Sequence, residues 1–383
     1  MLSKGIKFET FKNKISSKNV KKIYKNLIQN KSAVINSLSL NYQYSFNKKN
    51  LSKYKKSNNF RVIGMGGSTL GTQAIYDFLK FKIKKNFFFI DNLKSSQKKE
   101  KKKFTNLIIS KSGNTIETII NANILIKNKE RNIFITENKQ SYLKLLANKL
   151  KAEIIQHNNF IGGRYSVLSE VGMLPAELMG LNTNKFKQFN SLIKNKGFEK
   201  ALLSNVNSSL YFLKQKKFNS VIINYDEKSE NLFKWYQQLV AESLGKKSKG
   251  ILPILSIMPR DNHSVMQLYL DGFKNNFFTF FYVKEKNSDR LNDNKILSFK
   301  NYLKGKDVSN VLYAQKKATE NVFRKKKIPY RSFEIDNRDE KSLGELFCFF
   351  ILETILIGKC LNLNPYDQPS VELIKTETKK ILI

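Results

Sequence analysis

The chain is poor in the residues that build metal centres and disulfide frameworks. It has two cysteines, Cys348 and Cys360, and two histidines, His157 and His263, in 383 residues. Two thiols cannot hold a disulfide scaffold or a multi-cysteine zinc site, and two imidazoles cannot make a histidine-rich metal centre. Long apolar runs are also missing. The most apolar stretch, residues 346–358, is interrupted by Glu353 and Thr354 and is shorter than the ~20 residues of a membrane span, so it reads as a buried helix. The N-terminal residues MLSKGIKFETFKNKISSK contain no apolar h-region, which argues against a secretory signal. A soluble, reducing, cytoplasmic setting is the expectation.

Arginine is scarce as well: only eight of the 69 basic residues are Arg, while the formal net charge is +38. Such a charge invites a nucleic-acid reading. Yet Lys, Asn, Ile and Phe are enriched together along the whole chain, as AT-rich codons would produce, and the lysines are spread out apart from runs at 98–103 and 325–327. Arginine is the preferred residue for reading base edges, so its scarcity favours compositional drift over a nucleic-acid partner. What the chain does have is a 41 % hydrophobic content, enough for a real core, and a length of about two to three domains.

Strand-like runs at 60–64, 87–90, 106–110, 132–136 and 152–156 alternate with helical patterns at 73–80, 115–127 and 140–149. That alternation predicts a parallel α/β sheet covered on both faces. A helix over 168–179 closes this unit. The grammar then repeats, with a helix near 200–214, a strand at 220–224, a helix at 231–243, strands at 250–258, 277–283 and 330–335, and a hydrophobic helix at 343–357. The expected organisation is an N-terminal helical segment (1–55), a first α/β domain (56–182), a second (183–360) and a C-terminal arm (361–383).

Five segments could carry chemistry. Gly64-Met-Gly-Gly-Ser-Thr-Leu-Gly71 follows a strand and opens a helix, as a phosphate cradle or a bare tight turn would. It is neither a dinucleotide fingerprint, since Thr69 stands where the third Gly belongs, nor a P-loop, since Thr72 stands where Lys is required. In Ser110-Lys-Ser-Gly-Asn-Thr-Ile-Glu117, three hydroxyls can cap a helix or donate to a tetrahedral dianion. Their number and their place at a strand's C-terminal end favour the anion. Gly162-Gly-Arg-Tyr-Ser166 sets a permanent guanidinium on close-approach backbone, fit for an oxyanion or for structural pairing. Gln238 and Glu242 are four apart and share a helix face, where the carboxylate could move a proton or merely face solvent. His263, in Arg260-Asp-Asn-His-Ser264, could act as acid and base or be structural, and the same holds for His157. Gln368 and Lys375, two helical turns apart, could face one site or form a surface stripe.

In this order the segments resemble the glucose-6-phosphate isomerases of the sugar-isomerase fold. SKSGNTIET is similar to the family's Ser-Lys-[ST]-x-x-Thr-x-Glu signature, and GGRYS to its Gly-Gly-Arg-[Phe/Tyr]-Ser signature. QQLVAESLGK resembles the segment bearing the catalytic glutamate, RDNHSVMQLYLDG the His-bearing segment, and NPYDQPSVELIK the C-terminal signature ending in a functional Lys. The resemblance implies two tandem parallel-sheet sugar-isomerase (SIS) domains with helices on both faces and a C-terminal helical arm.

It also implies reversible isomerisation of glucose 6-phosphate and fructose 6-phosphate through a cis-enediolate, in glycolysis and gluconeogenesis. Glu242, in a partly dehydrated cleft, would take the C2 proton and return it to C1. Arg164 would stabilise the enediolate, and His263 with Lys375 would open the sugar ring. Ser110, Ser112 and Thr115 would hold the phosphate with Lys111 nearby. Gly67, Ser68, Gly163, Gln238 and Gln368 would line the sugar pocket. A cytoplasmic homodimer is implied in which His263 reaches the neighbouring subunit's site, with no metal, no cofactor, no nucleic acid and no membrane partner. A related isomerase of mannose or amino-sugar phosphates would share the hydroxyl-rich loop, but the GGRYS and QPSVELIK elements together favour the glucose enzyme. A non-catalytic phosphosugar-binding regulator would have no need of Glu242, Arg164 and His263.

Overall fold

The computed structural model describes residues 2–13, 15–96, 102–127 and 130–383. Residues 98–101 of the lysine run, and Met1 and Lys14 of the N-terminal stretch, lie outside them. In chain order the described strands are β1 (Ile6–Glu9), β2 (Asn59–Gly64), β3 (Asn86–Ile90), β4 (Thr105–Ile109), β5 (Arg131–Thr136), β6 (Glu153–Gln156), β7 (Asn219–Asn224), β8 (Leu252–Ile257), β9 (Asn276–Val283) and β10 (Tyr330–Ile335). They form two five-stranded sheets, ordered β3-β2-β4-β5-β6 and β1-β10-β9-β7-β8. The first is parallel throughout. The second is parallel except for β1, which runs antiparallel to β10 with Ile6 opposite Ile335.

Runs of β-branched and aromatic residues suit strands buried on both faces, and the pleat sends neighbours to opposite sides. Val62, Leu107, Ile109, Ile133 and Ile135 enter the large core shared by the two units. Their neighbours Ile63, Ile108 and Phe134 meet Ala122, Leu143 and Ala147 on the other face. The helix Glu340–Cys360 runs through the shared core, with every residue from Ser342 to Gly358 buried. A helix apolar on all sides belongs inside, and its Glu353 pairs through Oε1 with Arg331 Nη1 at 2.5 Å. Among the described residues, no helix is long and apolar enough to cross a membrane.

Two elements differ from the expectation. The N-terminal segment is not only helical: besides the helix Lys18–Gln29 it supplies β1 to the edge of the second sheet. Four residues, Ile-Lys-Phe-Glu, carry too short an alternation to stand out from a lysine-rich background, and it is the open edge of β10 that makes them a strand. The helix Val308–Lys325 was not anticipated, although two adjacent parallel strands, β9 and β10, require a crossover between them.

One packing contact positions the site. The helix Glu230–Leu244 of the second unit lies on the helix Leu70–Phe78 of the first, and touches the short 3-10 turns Gly66–Ser68 and Gly163–Leu168. This brings Gln238 and Glu242 over the C-terminal strand ends of the first sheet.

Candidate active site

The turn after β4 forms the floor of the site. Gly113 has φ +66, and an added Cβ there would sit 2.2 Å from Ser141 Oγ, so only glycine closes this turn. Thr115 precedes the helix Ile116–Leu125, yet its hydroxyl does not cap that helix. It meets the Ser110 hydroxyl at 2.9 Å instead. The Lys111 ammonium donates to the Asn159 carbonyl at 2.8 Å and lies 3.5 Å from Glu137.

The turn after β2 packs backbone to backbone against the GGRYS turn. A Cβ on Gly67 would fall 2.1 Å from the carbonyl carbon of Gly163 and 2.5 Å from the Arg164 nitrogen. Gly67→Ala is therefore expected to separate the two turns and remove activity, with a lowered melting temperature; assaying turnover and thermal unfolding together checks this.

Arg164 is buried and joins three segments. Its Nε donates to Ser243 Oγ at 2.8 Å, and its Nη2 to the carbonyls of Pro365 and Asp367 at 2.7 and 2.9 Å. Its Nη1 donates to Glu242 Oε2 at 3.1 Å and to Gln368 Oε1. The other carboxylate oxygen, Oε1 of Glu242, accepts from Gln238 Nε2 at 2.9 Å. Gln238 keeps its own Oε1 buried and without a hydrogen-bond partner among the described residues. The Glu242 side chain is 27 % exposed, because the cleft opens above it.

The C-terminal turn closes one wall. Lys246 pairs with Asp367 at 2.7 Å, and this ammonium holds the Asp367 carboxyl below its ordinary range. Beyond the turn, the helix Val371–Leu382 carries Lys375, whose ammonium donates to Glu372 at 2.6 Å.

All the expected site residues except Ser110 and His263 line one cleft of about 520 Å³. Ser110 is only 2 % exposed and stands behind Thr115. His263 is exposed on the turn Arg260–His263 after β8 and is not among the residues of this cleft. His157 is buried; desolvation pushes its imidazole down to about 4, so it stays neutral beside the Asn158 carbonyl. Glu137 and Lys139 also line the cleft and pair at 2.7 Å, though nothing in the motifs singled them out. Their position just past the end of β5, level with the loop after β4, was the available signal.

The arrangement offers hydroxyls and ammonium groups at one end, a carboxylate clamped by an amide and a guanidinium in the middle, and a lysine on the far wall. The family model of phosphoglucose isomerase matches residues 49–383. A glucose-6-phosphate isomerase of Methanocaldococcus jannaschii is 35 % identical, over 87 % of this chain and 86 % of that one. One from Mycoplasmopsis pulmonis is 34 % identical, over 84 % and 82 %. Among solved structures, a hypothetical protein of Thermus thermophilus aligns with a TM-score of 0.82 at 22 % identity, covering 95 % of this chain and 94 % of that one. A glucose-6-phosphate isomerase from Chlamydia trachomatis aligns at 0.76 and 17 %, covering 99 % and 89 %.

Proposed function

The chain belongs to the phosphoglucose isomerase family, and from that membership we infer that it interconverts glucose 6-phosphate and fructose 6-phosphate, an aldose–ketose isomerisation. The observation that carries this reading to residues is the Glu242 carboxylate, held between Gln238 and Arg164 in the cleft that ends at the hydroxyl-rich loop.

Ser112 and Thr115 hold the substrate phosphate with Lys111, and Ser110 orients the Thr115 hydroxyl from behind. Anchoring the phosphate lets its binding energy place C1 and C2 beside Glu242. The carboxylate takes the proton from C2 and delivers it to C1 on the same face. Arg164, already donating to Glu242 and Gln368, steadies the charge of the cis-enediolate. Gln238 lines the sugar pocket, and Lys375 moves a proton during ring opening. On this reading the first α/β unit, 56–182, binds the phosphate, and the second, 183–360, brings the base. A reducing, cytoplasmic setting fits the two unpaired cysteines, Cys348 and Cys360.

A coupled assay of fructose 6-phosphate conversion in EDTA, with mannose 6-phosphate in parallel, tests the assignment. Turnover of the fructose ester supports it; turnover of mannose 6-phosphate at an equal rate would widen the substrate class. No turnover of either ester would refute it.

His263, exposed and off the cleft of its own chain, serves the neighbouring site of a homodimer. In an isologous dimer, mixing inactive Glu242→Gln with inactive His263→Ala should therefore restore about a quarter of wild-type activity after subunit exchange, because half the dimers are mixed and each has one intact site. Recovery of nothing would place His263 outside the neighbouring site.

A further inference from the structure

Codon drift can place lysines on a surface at little energetic cost, but not in a core. Lys187 is 4 % exposed. The fully buried Lys316 is neutralised by Glu320 and Glu334 at 2.8 and 2.6 Å. Lys187 is held differently. Its ammonium donates to the carbonyls of Ser37 and Leu168, and lies over the rings of Tyr42 and Tyr44 at 4.8 and 4.9 Å from their centroids.

These partners come from two places. Ser37, Tyr42 and Tyr44 belong to the N-terminal segment, to which no motif gives a role. Leu168 is the last residue of the 3-10 turn that carries Arg164. Beside it, Glu170 accepts from the Tyr42 hydroxyl at 3.0 and 3.1 Å and from the Ser45 amide at 3.2 Å. The N-terminal segment is thus strapped across the far end of the Arg164 turn, with Lys187 as the pin.

We propose that Lys187 is a positioning residue for the isomerisation: by tying Ser37 to the Leu168 carbonyl, it fixes the turn that aims Arg164 at Glu242 and Gln368. This rests on the isomerase reading above. Arg164 has its donors spread over Ser243, Glu242, Gln368 and two carbonyls, so a small shift of the turn disturbs all of them. A displacement of about 1 Å at a reacting centre can cost on the order of 10²-fold in rate.

The groups facing the pin are Tyr42, Tyr44, Glu170 and Cys348. Burial, and then Glu170, pushes both tyrosine hydroxyls up, and burial pushes the Cys348 thiol up to about 12, so all three stay neutral. Burial pushes Lys187 itself down to about 7. Losing that proton still leaves two N–H groups for two carbonyls, so the tie is a matter of donors more than of charge.

Lys187→Met keeps the apolar stem and removes the donors. The experiment compares it with wild type in the fructose 6-phosphate assay, beside inhibition by inorganic phosphate and by a phosphorylated aldonohydroxamate that mimics the enediolate. The expected result is a fall in kcat of about 5- to 30-fold and a matching rise in the hydroxamate Ki, with KM and the phosphate Ki within about twofold. Unchanged kcat per folded molecule overturns the proposal, as does a uniform loss of every parameter in step with the melting temperature. Should Lys187→Met fail to fold, Glu170→Ala removes the acceptor of both the Tyr42 hydroxyl and the Ser45 amide and loosens the strap from its other side. It is expected to show the same split at smaller amplitude, and wild-type kinetics in that variant overturn the proposal. An inactive wild type sinks the isomerase reading instead, before any variant is compared.

Discussion

Glu242→Gln should lower kcat by about 10²- to 10⁴-fold, the range a positioned acid–base group supplies, while moving KM little. The change removes the proposed proton acceptor and preserves the shape. Its amide oxygen can still accept from Arg164 Nη1, which lies 3.1 Å from Oε2 in the native site. Its new amide hydrogens would face Gln238 Nε2, now 2.9 Å from Oε1. Gln238 has an unpartnered Oε1, so a half-turn of its own amide restores the bond. The hydroxyl-rich loop after β4 lies on the other unit and is untouched. The decisive measurement pairs steady-state kinetics with loss of the C2 hydrogen to deuterated solvent. Both should fall together. A variant that keeps more than a tenth of the wild-type rate would place the base elsewhere.

Arg164→Ala should cost both rate and stability. Its side chain is fully shielded from solvent in the ion pair with Glu242, and removing it leaves the Asp367 carbonyl without its donor and takes one of two partners from the Pro365 carbonyl and the Ser243 hydroxyl, which keep Tyr165. Breaking a buried charged network by deleting one partner typically costs about 3–5 kcal/mol. On the role proposed for Arg164 toward the enediolate, its loss is expected to remove about 10²- to 10³-fold in kcat. Arg164→Lys should recover little. An ammonium has three donors and no planar fork, so it cannot serve Ser243, Glu242, Gln368 and two carbonyls at once. Urea titration of the folded protein, read beside kcat, separates the two effects. A variant with wild-type stability would show that the C-terminal turn is seated by Tyr165 and Lys246 alone, which bond Pro365 and Asp367 independently.

The parts of this molecule that were legible in its sequence are those written in local chemistry. Strand β2 and its glycine turn, the hydroxyl loop after β4, GGRYS, and the pairing of Gln238 with Glu242 each declare themselves within ten residues. The less legible parts depend on partners far along the chain. Ile6–Glu9 becomes a strand because β10 has a free edge. Lys187 reads as one lysine among many, and only the packed core sets it apart. Glu137 and Lys139 enter the cleft because β5 lies beside β4, which is a matter of sheet order rather than of motif. His263 is exposed and lies off the cleft of its own chain.

The pairing of β1 with β10 sets an order on synthesis. The strands of the first sheet lie between Asn59 and Gln156 and can assemble while the ribosome is still making the second unit. Strand β1 emerges before all of them, yet its partner residues 332–335 are among the last strand residues made, and Ser3 must then find Glu345 at 2.5 Å. Closing so long a loop comes late in folding. Until it closes, β10 presents a row of open backbone donors and acceptors, and that edge is where a slowly maturing chain would pair with the wrong neighbour.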